Sequence, residues 1–119
     1  MKPAKYRRGD FVPFYPAQEG LVWDGQPEGT PLLADDCTRA VRWLSMFATP
    51  PVPHSGGRWN SRDATRAANE WFVRNGHDLQ VSHGAVIKAA FDVGYTIRVA
   101  RLAQDCTFCM ELSPEDFPK

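Results

Sequence analysis

Between Thr30 and Leu112 the apolar positions pass from helical spacing to strand-like alternation. Leu33, Cys37, Ala40, Val41, Leu44, Phe47 and Ala48 return at intervals of three and four, which predicts a first helix with one buried face. Thr30 is placed to cap it and Pro31 suits its first turn. Asp35 and Asp36 complement the positive end of its dipole, and Pro50-Pro51 stops it. Trp43 and Met46 lie toward another face, where they predict a second contact. Pro50 to Asn60, rich in proline, glycine and serine, reads as a loop. Ser61 then caps a second helix whose apolar stripe is Ala64, Ala67, Ala68, Trp71 and Phe72. Arg66 with Glu70, and Glu70 with Arg74, pair one turn apart on its exposed side, and Asn75-Gly76 supplies a left-handed stop.

His77 to Val81 is a short connector with room for one β-bridge. Ser82 caps a third helix with Ala85, Val86, Ala89, Ala90 and Val93 on its apolar face, Ile87 and Phe91 alongside, and Gly94 at its end. Tyr95–Leu102 and Cys106–Leu112 are rich in β-branched and aromatic residues. Joined by Ala103-Gln104-Asp105, they predict a β-hairpin in which Cys106, Phe108, Met110 and Leu112 share one face. Residues 1–30 read differently. Phe11, Phe14, Tyr15 and Trp23 are interleaved with Pro13, Pro16, Pro27, Gly20, Gly25 and Gly29, a density that forbids a helix. They predict an extended arm packed on the domain, with a short strand near Asp10–Phe14 or Leu21–Trp23. The expected organisation is arm 1–30, helical domain with C-terminal hairpin 31–112, and acidic tail 113–119.

The expected class is therefore α+β: a three-helix unit followed by a C-terminal hairpin, with an extended aromatic, proline-rich N-terminal arm. Over residues 61–112 this order resembles a winged helix in outline. The resemblance implies that Ser82–Val93 is the recognition helix and Ala103-Gln104-Asp105 the tip of the wing. The stretch Val81-Ser82-His83-Gly84-Ala85-Val86-Ile87-Lys88-Ala89-Ala90, with Gly94-Tyr95 after it, also resembles segments of small proteins of phages and mobile elements.

Composition narrows the use of such a fold. The 119 residues suit one domain with one modest core, and 43% apolar content is globular rather than disordered. No apolar run approaches the roughly 18 residues of a membrane helix. The basic start lacks the apolar stretch of a secretory signal, and three cysteines are too few for a disulfide framework, so a reduced, cytoplasmic setting is expected. Fourteen basic side chains balance 14 acidic ones, unlike a plain polyelectrolyte binder of nucleic acid. The charge is nonetheless uneven. From Arg39 to Arg74 run six arginines, Arg39, Arg42, Arg58, Arg62, Arg66 and Arg74, against Asp63 and Glu70, and from Cys106 to Pro118 only acids occur.

Chemistry-bearing patterns are sparse. Cys106-Thr107-Phe108-Cys109 has zinc-ligand spacing, but on a strand residues three apart face opposite ways, and no second ligand pair accompanies it. His77-Asp78 beside Ser82-His83 reads as capping and turn. No Walker loop, dinucleotide fingerprint or nucleophile elbow is present. No catalytic residue, metal or cofactor is expected. A reading helix needs Arg, Lys, Asn or Gln toward base edges, and the third helix offers His83, Lys88 and Asp92.

Two readings follow. One is a small non-enzymatic protein-binding module, such as an inhibitor or accessory factor of a phage or mobile element of the anti-CRISPR type. Its contacts would run through Trp59, Arg58 and Trp43, with another protein as partner and a homodimer face as a further reading. The alternative is a winged-helix-like regulator gripping duplex DNA through Arg62, Arg66, Arg74, His83, Lys88, Arg98 and Arg101.

Overall fold

The computed structural model describes residues 5–7, 9–47, 58–77 and 79–109; the side chains of Phe47, Arg58, Trp59, Thr96 and Cys109 also lie outside the description. It is a small α+β fold with three helices and two small antiparallel sheets. In chain order the elements are β1 (Phe14–Ala17), β2 (Gly20–Trp23), α1 (Ala34–Phe47), β3 (Arg58–Asn60), α2 (Ser61–Arg74), α3 (His83–Val93), β4 (Thr96–Val99) and β5 (Cys106–Cys109). No helix among the described residues is long and apolar enough to cross a membrane.

The N-terminal arm is more ordered than its proline content suggests. β1 and β2 pair as a hairpin with Phe14 opposite Trp23 and Ala17 opposite Gly20. Gly20 opens β2 at φ +131°, a conformation that costs glycine little. Pro16 costs little on this two-stranded ribbon, where one edge of each strand is unpaired. Phe14 and Trp23 pack with ring centroids 4.6 Å apart, and both are fully buried, so the hairpin is part of the core rather than a strap over it. Tyr6 bridges back to Phe14, which extends the packed segment toward the N-terminus.

The first helix begins at Ala34, later than its expected cap. Thr30 is taken by the β1–β2 turn: its backbone N–H and its hydroxyl both donate to the Glu19 carboxylate. Ala40, Trp43 and Leu44 of α1 are fully buried, whereas Leu33 is exposed. Trp43 therefore belongs to the main core, which corrects its assignment to a surface contact.

α2 is capped one residue earlier than expected. The side chain of Asn60 accepts from the Arg62 N–H, leaving Ser61 free to turn inward, where it is 0% exposed. At the far end Gly76 takes the left-handed conformation, at φ +78°. α3 has the predicted caps: Ser82 accepts from the Ala85 N–H, and Gly94 closes the helix at φ +99°. Gly84, Ala85, Val86, Ile87, Ala89 and Ala90 are all buried, which wraps apolar surface around most of the helix. A helix of that kind is an interior one. It packs most extensively on α1 and also touches α2, β1, β2 and β4.

The C-terminal hairpin forms, with Ile97 opposite Phe108 and Val99 opposite Cys106. Cys106 and Phe108 are both buried, as the alternation predicts. A third strand joins it: Arg58–Asn60, expected as loop, is β3, and its pairing with β5 puts Trp59 opposite Phe108. The sheet order is β3-β5-β4, with the last strand in the centre. The expected bridge in the connector is absent among its described residues. Asn69 takes its place, donating through Nδ2 to the Val81 carbonyl (3.1 Å) and accepting the Val81 N–H (2.8 Å). Residues 48–57, which include most of the expected Pro50–Asn60 loop, and residues 110–119, which include the expected acidic tail, lie outside the described residues.

Candidate functional site

Two regions bear on function: the face of α3 that a winged helix would turn toward DNA, and the outer face of α2. The first is covered. Gly84 lies so close to the hairpin that a Cβ there would overlap the Ala17 carbonyl, with the carbonyl carbon 2.5 Å away. Farther along, Tyr6 stacks on Phe91 with centroids 4.1 Å apart and planes 10° from parallel. Lys88 donates to Asp92 at 2.6 Å, and this hydrogen bond holds its ammonium above the ordinary lysine range.

His83, expected on the outer face, is drawn into a relay at the corner of the molecule. Its Nε2 lies 2.7 Å from Ser61 Oγ and its Nδ1 lies 3.1 Å from the Glu19 carbonyl. Ser61 Oγ also accepts the Cys106 N–H at 3.0 Å. A carbonyl can only accept, so Nδ1 carries the ring proton and Nε2 accepts from the serine hydroxyl. Burial is the largest influence on His83 and pushes its pKa down, as does the Arg62 charge; the Glu19 hydrogen bond and Asp105 act against it. Burial likewise pushes the Cys106 thiol up to about 12. Ser61 and His83 have the contact of a nucleophile and base, but Ser61 is sealed from solvent and the imidazole is oriented by a backbone carbonyl. The arrangement ties four elements together.

The β4–β5 connection, expected as the tip of a wing, is also tied down. Trp23 Nε1–H donates to the Ala103 carbonyl at 2.8 Å, and the Leu21 N–H donates to the Gln104 carbonyl at 2.7 Å. Arg62 donates to the Gln104 side chain and lies 3.6 Å from Asp105. The Asp105 carboxyl is held below its ordinary value, chiefly by the Asn60 side chain. Arg101 lies 5.0 Å from the centre of the Phe11 ring and 3.8 Å from Asp10. Leu102 sits at φ +62°, unusual for leucine, and is exposed at the tip.

The seven basic residues expected on nucleic acid thus do not form one surface. His83 is in the relay, Lys88 is paired on α3, Arg62 and Arg101 brace the β4–β5 connection, and Arg98 is exposed on edge strand β4. Arg66 and Arg74 stand on the outer face of α2, Arg66 with Asp63 at 3.8 Å. They border an open depression of about 560 Å³ lined also by Asn69, Glu70, Val73 and Gln80. Val73 is exposed there, and Leu79 is exposed on the neighbouring connector. Of the expected protein contacts, Trp43 is core, while the side chains of Arg58 and Trp59 lie outside the described residues. The depression has no periodic signature in the sequence; Asn69, which lines it, is one of several uncharged polar residues on α2. Among the described residues no group of three His, Cys, Asp or Glu side chains could hold a metal ion. Comparison with protein-family models, with curated proteins and with solved structures yields no match to this chain.

Proposed function

We propose that the chain is a small non-enzymatic protein-binding module that meets its partner through the outer face of α2. The observation that carries this reading is the covering of α3: the hairpin closes on Gly84 and Tyr6 stacks on Phe91. A helix so placed leaves little besides the paired Lys88 and Asp92 to enter a groove. What α2 offers suits a protein partner better. Exposed Val73 supplies apolar contact, and Arg66, Glu70 and Arg74 supply a mixed-charge rim.

The test is capture of a partner on immobilised protein, followed by reconstitution with that partner purified. A one-to-one complex is expected, weakened by about tenfold or more when Arg66→Glu and Arg74→Glu are combined. A complex indifferent to both changes would remove α2 from the reading.

A second reading rests on the topology. The order α1-β3-α2-α3-β4-β5 with a β3-β5-β4 sheet resembles the plan of a winged helix, with a small strand before α2. If that plan is used on DNA, duplex should be retained at low salt and lost steeply as salt rises. Absence of any shifted duplex at low salt rejects it.

A further inference from the structure

We propose that His83 is a proton-sensitive latch that fastens the turn of the β1–β2 hairpin over the start of α3, and that acidification loosens that turn.

The relay joins four elements through three hydrogen bonds. The Glu19 carbonyl belongs to the hairpin turn, His83 is the first residue of α3, Ser61 the first of α2, and Cys106 the first of β5. The turn is shaped to admit the imidazole: a Cβ on Gly20 would lie 2.8 Å from His83 Nδ1 and 2.5 Å from the Gln104 carbonyl. The donors and acceptors close only with a neutral ring. The Cys106 N–H donates to Ser61 Oγ, the Ser61 hydroxyl to His83 Nε2, and His83 Nδ1–H to Glu19. Protonation at Nε2 turns that acceptor into a donor. Ser61 Oγ then faces two donors, and its own proton loses its acceptor in a site with 0% exposure.

The charges around the ring do not compensate fully. From α2, Arg62 faces it and opposes a second positive charge. From the start of β5, Asp105 favours that charge, but its carboxylate is already engaged by Asn60 and Arg62. From the hairpin turn, the Glu19 carboxylate is directed to Thr30, so only its carbonyl meets the ring. The Cys106 thiol stays neutral, and the first turn of α3 holds no acid. Burial has already moved His83 toward the neutral form.

The consequence is local. The Leu21 N–H donates to Gln104 and the Gly84 N–H to Gln18, both beside the latch. At the far end of the hairpin, the Phe14 N–H donates to Tyr6 and the Asp24 N–H to Pro13. The experiment is amide hydrogen exchange by NMR from pH 7 to pH 5, corrected for intrinsic exchange, alongside titration of the imidazole nitrogens. At pH 7 the Nδ1–H tautomer is expected. On acidification the Leu21 and Gly84 amides should open at least about fivefold more while Phe14 and Asp24 hold. His83→Gln should flatten that response. The proposal is overturned by an Nε2–H tautomer at pH 7, by constant protection at Leu21 and Gly84, or by all four amides accelerating together. Each of those outcomes is read on the unaltered protein, so the test does not depend on the variant folding.

Discussion

Gly84→Ala sets two physical rules against each other. In an isolated helix, alanine for glycine at an interior position stabilises by about 1 kcal/mol. In this structure the new methyl group would overlap the Ala17 carbonyl, with the carbonyl carbon at 2.5 Å and the amide nitrogen at 3.1 Å. Both obstacles are backbone, so no rotamer change relieves them. Either α3 shifts or the hairpin backs away by more than 1 Å, an estimate from the short contact and ordinary packing distances. Backing away stretches the Gly84–Gln18 hydrogen bond, already 3.4 Å, and the His83–Glu19 bond at 3.1 Å. Overpacking of a close-packed interior costs about 1–3 kcal/mol, and a weakened hydrogen bond adds about 1 kcal/mol. After the helix-propensity gain, the net expectation is a loss of about 2 kcal/mol. Urea unfolding followed by circular dichroism measures it, with exposed Arg66→Ala as a control expected within about 0.5 kcal/mol of the parent. A Gly84→Ala protein as stable as the parent, or more so, would refute the contact between α3 and the hairpin and reopen α3 as an accessible surface.

Ser61→Ala should cost about 2–4 kcal/mol, because it strands the Cys106 N–H and His83 Nε2 together; a loss under about 0.5 kcal/mol by urea titration would argue against the relay. The pH dependence has a defined sign. A histidine depressed by burial leaves its share of stability intact above the unfolded value of 6.5 and erodes it as pH falls below that. The urea midpoint should therefore drop from pH 7 to 5, and His83→Gln should lessen the drop. With its thiol raised to about 12 and buried, Cys106 should resist alkylation at pH 8 until the protein unfolds. Half-buried Cys37, also raised by burial, should react first of the two; peptide mapping by mass spectrometry distinguishes them.

Local signals carried the helices and the last hairpin into the sequence reading. Ser82 and Gly94 bracket α3 because each cap depends on neighbours within a turn. Alternation at Cys106 and Phe108 foretold burial for the same reason. What could not be read depends on partners far along the chain. Arg58–Asn60 looks like a loop beside Gly56-Gly57 and becomes a strand only through β5, nearly fifty positions later. Thr30 is a competent cap, but the Glu19 carboxylate claims it first. Helical periodicity puts His83 on the outer face and cannot register that the hairpin turn and Ser61 hold it. Asn69, which lines the depression on α2, also clamps a connector residue twelve positions away, a relation with no periodic signature.

The central place of β5 has a bearing on how the chain is made. Strands β3 and β4 pair with β5 and not with each other, so neither has a partner until residues 106–109 exist. A ribosome adding about 5–20 residues per second would leave β3 waiting several seconds. Hairpin closure takes only microseconds. Vectorial synthesis, rather than strand docking, would then set when this sheet closes. The early product would be the β1–β2 ribbon and three helices with an open seam, dependent on the last described strand to seal it.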